Sequence, residues 1–128
     1  MLTELSQIRQ IQKEPRRRWF ADDYFDLIIW FAKRGEIIGF QLCYDIYGEE
    51  RALTWRKKTG FSHQRVDDGE LKRPYKATPI LVADGSFDYA AISQLFQERS
   101  GNMDEKVAKF VLEQIGRYHQ EPQRTRKP

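Results

Sequence analysis

The sequence predicts an α+β domain, an antiparallel β-meander of four to five strands followed by two helices packed on one face of the sheet. Short runs of β-branched and aromatic residues recur between positions 19 and 83, and turn residues separate them at intervals of about ten. Long stretches with helical spacing follow only after residue 86. Because no helix lies between the first strands, they cannot be joined as parallel βαβ units.

Turn residues end each predicted strand. Gly35 follows the first strand, where a glycine supplies the positive φ of a tight hairpin. Gly48 and Gly60 close the second and third strands, and an acidic run ending at Gly69 closes a weaker fourth strand. A last short apolar run begins at Pro79, a position that suits proline in a strand. The predicted strands are therefore 26–31, 37–44, 51–57, 61–66 and 79–83.

Two helices are predicted to complete the domain. Ser86 is the expected cap of the first helix, which Ser100–Gly101 would end. Asn102 is the expected cap of the second, with Glu105 three positions later as in a capping box. We expect Gly116 to end this second helix.

The first residues predict a short helical arm. Leu2, Leu5, Ile8 and Ile11 recur every third position, and the residue before Pro15 is pushed away from helical angles. This arm is expected to be either docked or frayed. The chain then divides into an N-terminal arm (1–15), a single α+β domain (16–118) and a flexible basic tail (119–128).

Composition excludes several classes of protein. The mean hydropathy is −0.74, and no apolar run approaches the length of about 20 residues that a membrane helix needs. The first residues do not resemble a secretory signal. The single cysteine excludes an internal disulfide and a cysteine-cluster zinc site. We therefore expect a cytoplasmic protein that has no membrane partner.

The positive charge is concentrated at the two ends of the chain. Residues 1–18 and 116–128 each carry a net charge of +3, whereas residues 19–115 carry −3. Such ends either bind phosphate nonspecifically through counterion release or are simply solvated. The acidic body argues against nucleic acid as a partner. If nucleic acid binds, the candidate residues are Arg16, Arg17, Arg18, Arg124, Arg126 and Lys127.

The second face of the predicted sheet is its most informative feature. In the first strand, Leu27, Ile29 and Phe31 point to the helices, but Ile28 and Trp30 on the other side are also apolar. We therefore expect the arm, a second subunit in a homodimer, or a ligand to cover this second face. A small ligand would meet an aromatic and polar set consisting of Trp30, Gln41, Cys43, Thr54, Arg56 and His63.

Motifs for catalysis and for cofactors are weak. The cluster of Asp22, Asp23 and Asp26 is interpreted as a turn, so no metal site is predicted. Cys43 and His63 could form a thiol pair, but a cysteine in the middle of a strand is typically a small buried hydrophobe. The glycines match no phosphate-binding loop. We assign no catalytic residue and no cofactor, and we do not favour an enzyme.

Several segments of the predicted body resemble a group of small bacterial proteins of unknown function. They are Trp19–Phe20, 26–30, 39–45, 52–55 and 78–85, within a likeness that covers residues 18–115. This resemblance implies a compact α+β domain and supplies no catalytic residues. The function we expect is non-enzymatic binding or self-association. The alternatives are a small-ligand-binding protein or minor enzyme that uses the second sheet face, and weak nucleic-acid binding through the basic termini.

Overall fold

A computed structural model describes residues 1–6, 8–67, 80–83 and 87–120. The architecture is α+β, as predicted, with all sheet strands before the two helices. The strands are β1 (Thr3–Glu4), β2 (Arg16–Ala21), β3 (Phe25–Phe31), β4 (Ile37–Tyr44), β5 (Arg51–Arg56), β6 (Gly60–Asp67) and β7 (Ile80–Ala83). The helices are α1 (Tyr89–Arg99) and α2 (Glu105–Gln120).

The seven strands form one open sheet in chain order, and every neighbouring pair is antiparallel. The meander is therefore confirmed, but the sheet is larger than the four to five strands expected. Two strands, β1 and β2, precede the first predicted strand, although β1 contributes only two residues. The segment predicted as a weak fourth strand is the eight-residue β6. Gly35, in the turn between β3 and β4, has a positive φ of 97°, and Gly60, the first residue of β6, has a positive φ of 86°.

Both helices pack on the face of the sheet that carries Leu27, Ile29 and Phe31, as predicted from the alternation of side chains along the first predicted strand. Phe25 of β3 meets Phe96 of α1 edge to face, with 5.8 Å between ring centroids. Trp55 of β5 lies 5.3 Å from Phe110 of α2 by the same measure. The core between these layers includes Phe20, Leu27, Ile29, Phe40, Leu42, Leu53, Val111 and Ile115, all fully buried.

The helical arm predicted for residues 1–15 is wrong. Leu2 is completely buried, and its backbone N–H donates to the carbonyl of Arg99 at 2.8 Å. Thr3 and Glu4 pair with β2, and the N–H of Leu5 donates to the carbonyl of Trp19. The spacing of Leu2, Leu5, Ile8 and Ile11 does not form one buried helical stripe, since Leu5 is 41% exposed. Residues 3–5 form their backbone hydrogen bonds with β2 and not within a helix.

Ser100 caps the end of α1 as predicted, but the other three helix ends differ from the expected ones. Asp88 caps α1 by accepting from the N–H of Ala91, whereas Ser86 lies outside the described residues. Asp104 accepts from the N–H of Lys106 at the start of α2, so the cap lies two positions after Asn102. The second helix continues through Gly116 as far as Gln120. Because Tyr118 packs against Phe61 of β6, the last turn is held by the core.

Part of the predicted tail is therefore helical. His119 and Gln120 belong to α2, and the ring of His119 stacks on that of Tyr89. The remaining positions of the tail, 121–128, lie outside the described residues. Neither helix of the described chain is long and apolar enough to cross a membrane.

Candidate functional site

The candidate site is the face of the sheet opposite the two helices. Strand register places alternate residues of β2 to β6 on this side, because side chains alternate along a strand. We call this surface the helix-free face. Its members are Arg17, Trp19, Ala21, Asp26, Ile28, Trp30, Gly39, Gln41, Cys43, Ala52, Thr54, Arg56, Ser62 and Gln64.

A stacked tryptophan forms one end of the helix-free face. Trp30 lies beside Gly39 of the neighbouring strand. A Cβ added at Gly39 would come within 3.2 Å of the Trp30 ring and 3.1 Å of the carbonyl of Trp55. The Arg56 guanidinium lies 4.3 Å from the centroid of the Trp30 ring, a cation–π distance. The missing side chain at Gly39 therefore lets the indole lie against the sheet, with Arg56 packed on it.

Polarity changes across the middle of the helix-free face. The cross-strand row begins with Trp19 and Ile28 and continues with Gln41 and Thr54. These side chains are partly exposed. The indole N–H of Trp19 donates to the carboxylate of Asp26. This row is thus apolar over β2 and β3 and polar over β4 and β5.

Cys43 sits on the helix-free face, where its thiol is buried. The thiol lies beside Ala52 and accepts from the Gln41 amide at 3.5 Å. Burial raises the pKa of the Cys43 thiol to about 12, and the nearby carboxylates of Glu50 and Asp26 act in the same direction. A thiol that stays protonated at neutral pH has little nucleophilic character.

We expect Cys43 to react slowly with thiol reagents in the native protein. Moving the pKa from 9.0 to about 12 lowers the thiolate fraction near neutral pH by about a thousandfold. The measurement is the rate of reaction with a chromogenic aromatic disulfide, followed for the native and the denatured protein. Native and denatured rates within tenfold (about one pKa unit) would contradict this burial.

His63 is separated from the rest of the predicted ligand set. Its register partner is Leu53, so it points to the helices, whereas Cys43 points away from them. Its Nε2 lies 2.6 Å from the hydroxyl of Tyr44, and the ring is buried against Phe87. The other five members, Trp30, Gln41, Cys43, Thr54 and Arg56, share the helix-free face. A Cys43–His63 pair is excluded by this geometry, and the Tyr44–His63 contact is a pairing that the sequence analysis missed.

The aspartates before β3 have structural partners. Asp22 accepts from the backbone N–H groups of Tyr24 and Phe25, each at 2.8 Å, and binds Arg99 at 3.1 Å. Asp23 binds the same arginine at 2.6 Å. Within the described residues, no group of three or more metal-ligating side chains is close enough to hold an ion. The cluster therefore acts as a turn that is tied to α1.

Three of the arginines predicted for nucleic acid, Arg16, Arg17 and Arg18, lie in β2. Arg16 packs over the ring of Phe31, and Arg17 donates to the carbonyl of Arg9 at 2.8 Å. Arg18 points to the helix side and binds Glu4 at 2.6 Å and Asp104 at 3.2 Å. The other three predicted residues, Arg124, Arg126 and Lys127, lie outside the described part of the chain.

Comparisons with family models, curated proteins and solved structures found no match to this chain.

Proposed function

We propose that this protein is a self-association module whose helix-free face packs against the same face of a second copy. The carrying observation is the apolar band of Trp19, Ile28 and Trp30 on the side of the sheet opposite both helices. An antiparallel sheet with one wet face normally alternates cleanly between apolar and polar residues, which β3 does not do. Burial of this band against another copy would remove apolar surface from water.

The charges of the helix-free face favour a second copy as the occupant. Arg17 and Arg56 lie at one end of this face. Asp26 and Glu50 lie at the other end, near Cys43. A two-fold axis running across the strands would place the basic end of one copy over the acidic end of its partner. Such complementarity fixes the register of two packed faces.

The solution mass, measured by size exclusion with light scattering, tests this proposal. We expect a dimer for the wild-type chain and a monomer for Trp30→Lys, because a buried interface does not tolerate an unpaired charge. Tyr47→Lys is the matched control, since this tyrosine is 86% exposed in the turn between β4 and β5. It removes an aromatic ring and adds the same charge elsewhere, and it should remain dimeric.

A second variant separates loss of association from loss of folding. Thr54→Lys adds the charge to the helix-free face without removing an aromatic side chain. Circular dichroism and thermal unfolding report whether each variant is folded. A folded Thr54→Lys protein that is still a dimer would overturn the proposal, as would a wild-type chain that stays monomeric at the highest concentration it reaches.

The stack of Arg56 on Trp30 also favours a second candidate function, small-ligand binding. The indole adjoins the polar row of Gln41 and Thr54, and pockets combine apolar surface with a few polar groups. A ligand for this face should raise the melting temperature of the wild-type protein but not that of Thr54→Lys. Equal shifts for the two proteins would place the ligand elsewhere.

A further inference from the structure

Basic side chains gather at one end of the sheet. The register pairs Arg16 with Phe31 and Arg56 with Gly39, so the β3–β4 turn, the β5–β6 turn and the approach to β2 share that end. The three segments are 9–17, 32–36 and 56–59. Their basic residues, which we call the basic pole, are Arg9, Lys13, Arg16, Arg17, Lys33, Arg34, Arg56, Lys57 and Lys58.

The basic pole carries a large excess of positive charge. These segments hold nine basic residues and two acidic ones, Glu14 and Glu36. Glu36 is already paired with Lys57 at 2.5 Å. All of the basic side chains except Arg17 are exposed. The pole therefore presents unneutralised cations to solvent.

At the opposite end of the sheet, the turns that the structure describes are acidic. These two turns, 22–24 and 45–50, contain five carboxylates and no basic residue. The net charge of −3 over residues 19–115 thus conceals a separation of charge between the two ends. A polyanion would be attracted to one end of the molecule and repelled from the other.

The basic pole also has a surface that an extended anion can follow. The residues that line a groove there include Glu14, Arg16, Phe31, Lys33 and Arg34. From β2 to β6 there are four steps between strands, or about 19 Å at about 4.8 Å per step. Duplex DNA carries one charge per about 1.7 Å of its axis, so several phosphates fit along this span.

We propose that the basic pole binds the phosphate backbone of a nucleic acid without reading its sequence. The three segments at this end supply the cations that contact phosphates. The acidic residues of these segments are Glu14 and Glu36, and Glu36 is already paired with Lys57. This site shares Arg16 and Arg17 with the terminal residues named in the sequence analysis, and it adds Lys33, Arg34, Arg56, Lys57 and Lys58 from the folded body. Arg17 and Arg56 also belong to the helix-free face, whereas Lys33, Arg34, Lys57 and Lys58 are not among its members.

Anisotropy with a short fluorescent DNA, single-stranded or duplex, tests this site in the full chain. With about four phosphate contacts, the affinity for duplex should fall about a hundredfold between about 50 and about 200 mM salt. Lys33→Glu/Arg34→Glu should weaken binding at least tenfold and reduce the salt slope by about two. Arg65→Glu/Arg117→Glu makes the same change in net charge at two exposed residues outside the pole and should leave the slope unchanged.

Three outcomes would overturn the proposal. Equal losses in the two double variants would show a response to net charge alone. Loss of binding only when Arg124, Arg126 and Lys127 are all changed to alanine would assign it to the terminal residues. Poly-glutamate that binds as tightly as DNA of equal length would assign the pole to an acidic protein.

Discussion

Replacing Asp22 with alanine should destabilise the fold by about 3 kcal/mol, because one buried carboxylate holds two backbone N–H groups and a guanidinium. Its side chain is 5% exposed and accepts from the N–H groups of Tyr24 and Phe25. It also binds Arg99, so it ties the turn before β3 to the end of α1. Alanine would leave the N–H groups of Tyr24 and Phe25 without their acceptor, and Arg99 would keep only the exposed Asp23. Urea unfolding of the wild type and the variant measures the difference.

The contribution of Asp22 should depend on pH. Burial acts to raise the pKa of this carboxyl, but the Phe25 and Tyr24 N–H groups and the Arg99 guanidinium outweigh it and hold the pKa below 3.8. A carboxyl with a depressed folded pKa stabilises the protein above its unfolded pKa. That stability is lost as the pH falls below about 4. The Asp22→Ala variant should therefore show a flatter loss of stability in acid than the wild type.

Asp23→Ala is the matched control for Asp22. Asp23 binds the same arginine at 2.6 Å, but its side chain is 80% exposed. Exposed ion pairs contribute little, so we expect a change within about 0.5 kcal/mol. If Asp23→Ala costs as much as Asp22→Ala, the Arg99 ion pair rather than the buried turn is the source of the stability.

Leu2→Ala should cost about 2–4 kcal/mol, since a fully buried leucine leaves a cavity when it is truncated. Its side chain belongs to the core, and its N–H bonds to the carbonyl of Arg99. Leu5→Ala tests the same chemistry three positions later, where the side chain is 41% exposed, and should change stability by less than about 0.5 kcal/mol. Thermal and urea unfolding compare the two variants. Equal effects would mean that Leu2 does not dock in solution.

Alternation and turn chemistry predicted the strands from β3 to β6 because one face of each carries the core. The same reasoning missed β2, where Arg16 and Arg18 occupy positions on the core side. These arginines pack their guanidinium groups over Phe31 and Phe20. A strand with long cationic side chains on the core side does not alternate between apolar and polar residues. The sequence of β2 was therefore interpreted as part of a basic end of the chain.

The face of the sheet to which His63 points could have been predicted from the sequence. Its contact with Tyr44 could not. Counting alternate residues across the short β5–β6 turn places His63 on the same side as Leu53, opposite Thr54. The hydrogen bond to Tyr44 depends on β5 lying between the two strands, which a one-dimensional pattern does not specify. Side-chain reach across a strand requires the three-dimensional register.

The basic pole is also missed when charge is summed only along the sequence. Summed along the chain, residues 19–115 carry a net negative charge, and their basic residues are spread over several segments. In an antiparallel meander, however, every second turn lies at the same end of the sheet. The turns with Lys33 and Arg34 and with Lys57 and Lys58 are therefore neighbours in space. The predicted topology already contained this grouping, and charge summed by turn would have shown it.

The docking of Leu2 on Arg99 affects the order in which the chain folds during its synthesis. Hairpins from β2 onward can pair as soon as each next strand leaves the ribosome, because every strand neighbours its successor. The segment around Leu2 is made before any of them, yet its partner on α1 is made near the end of the domain. Thr3 and Glu4 can pair with β2 as soon as that strand is made, but Leu2 can reach its partner only when α1 is present. We therefore expect the burial of Leu2 to be a late step of folding, which joins one of the first residues made to one of the last elements.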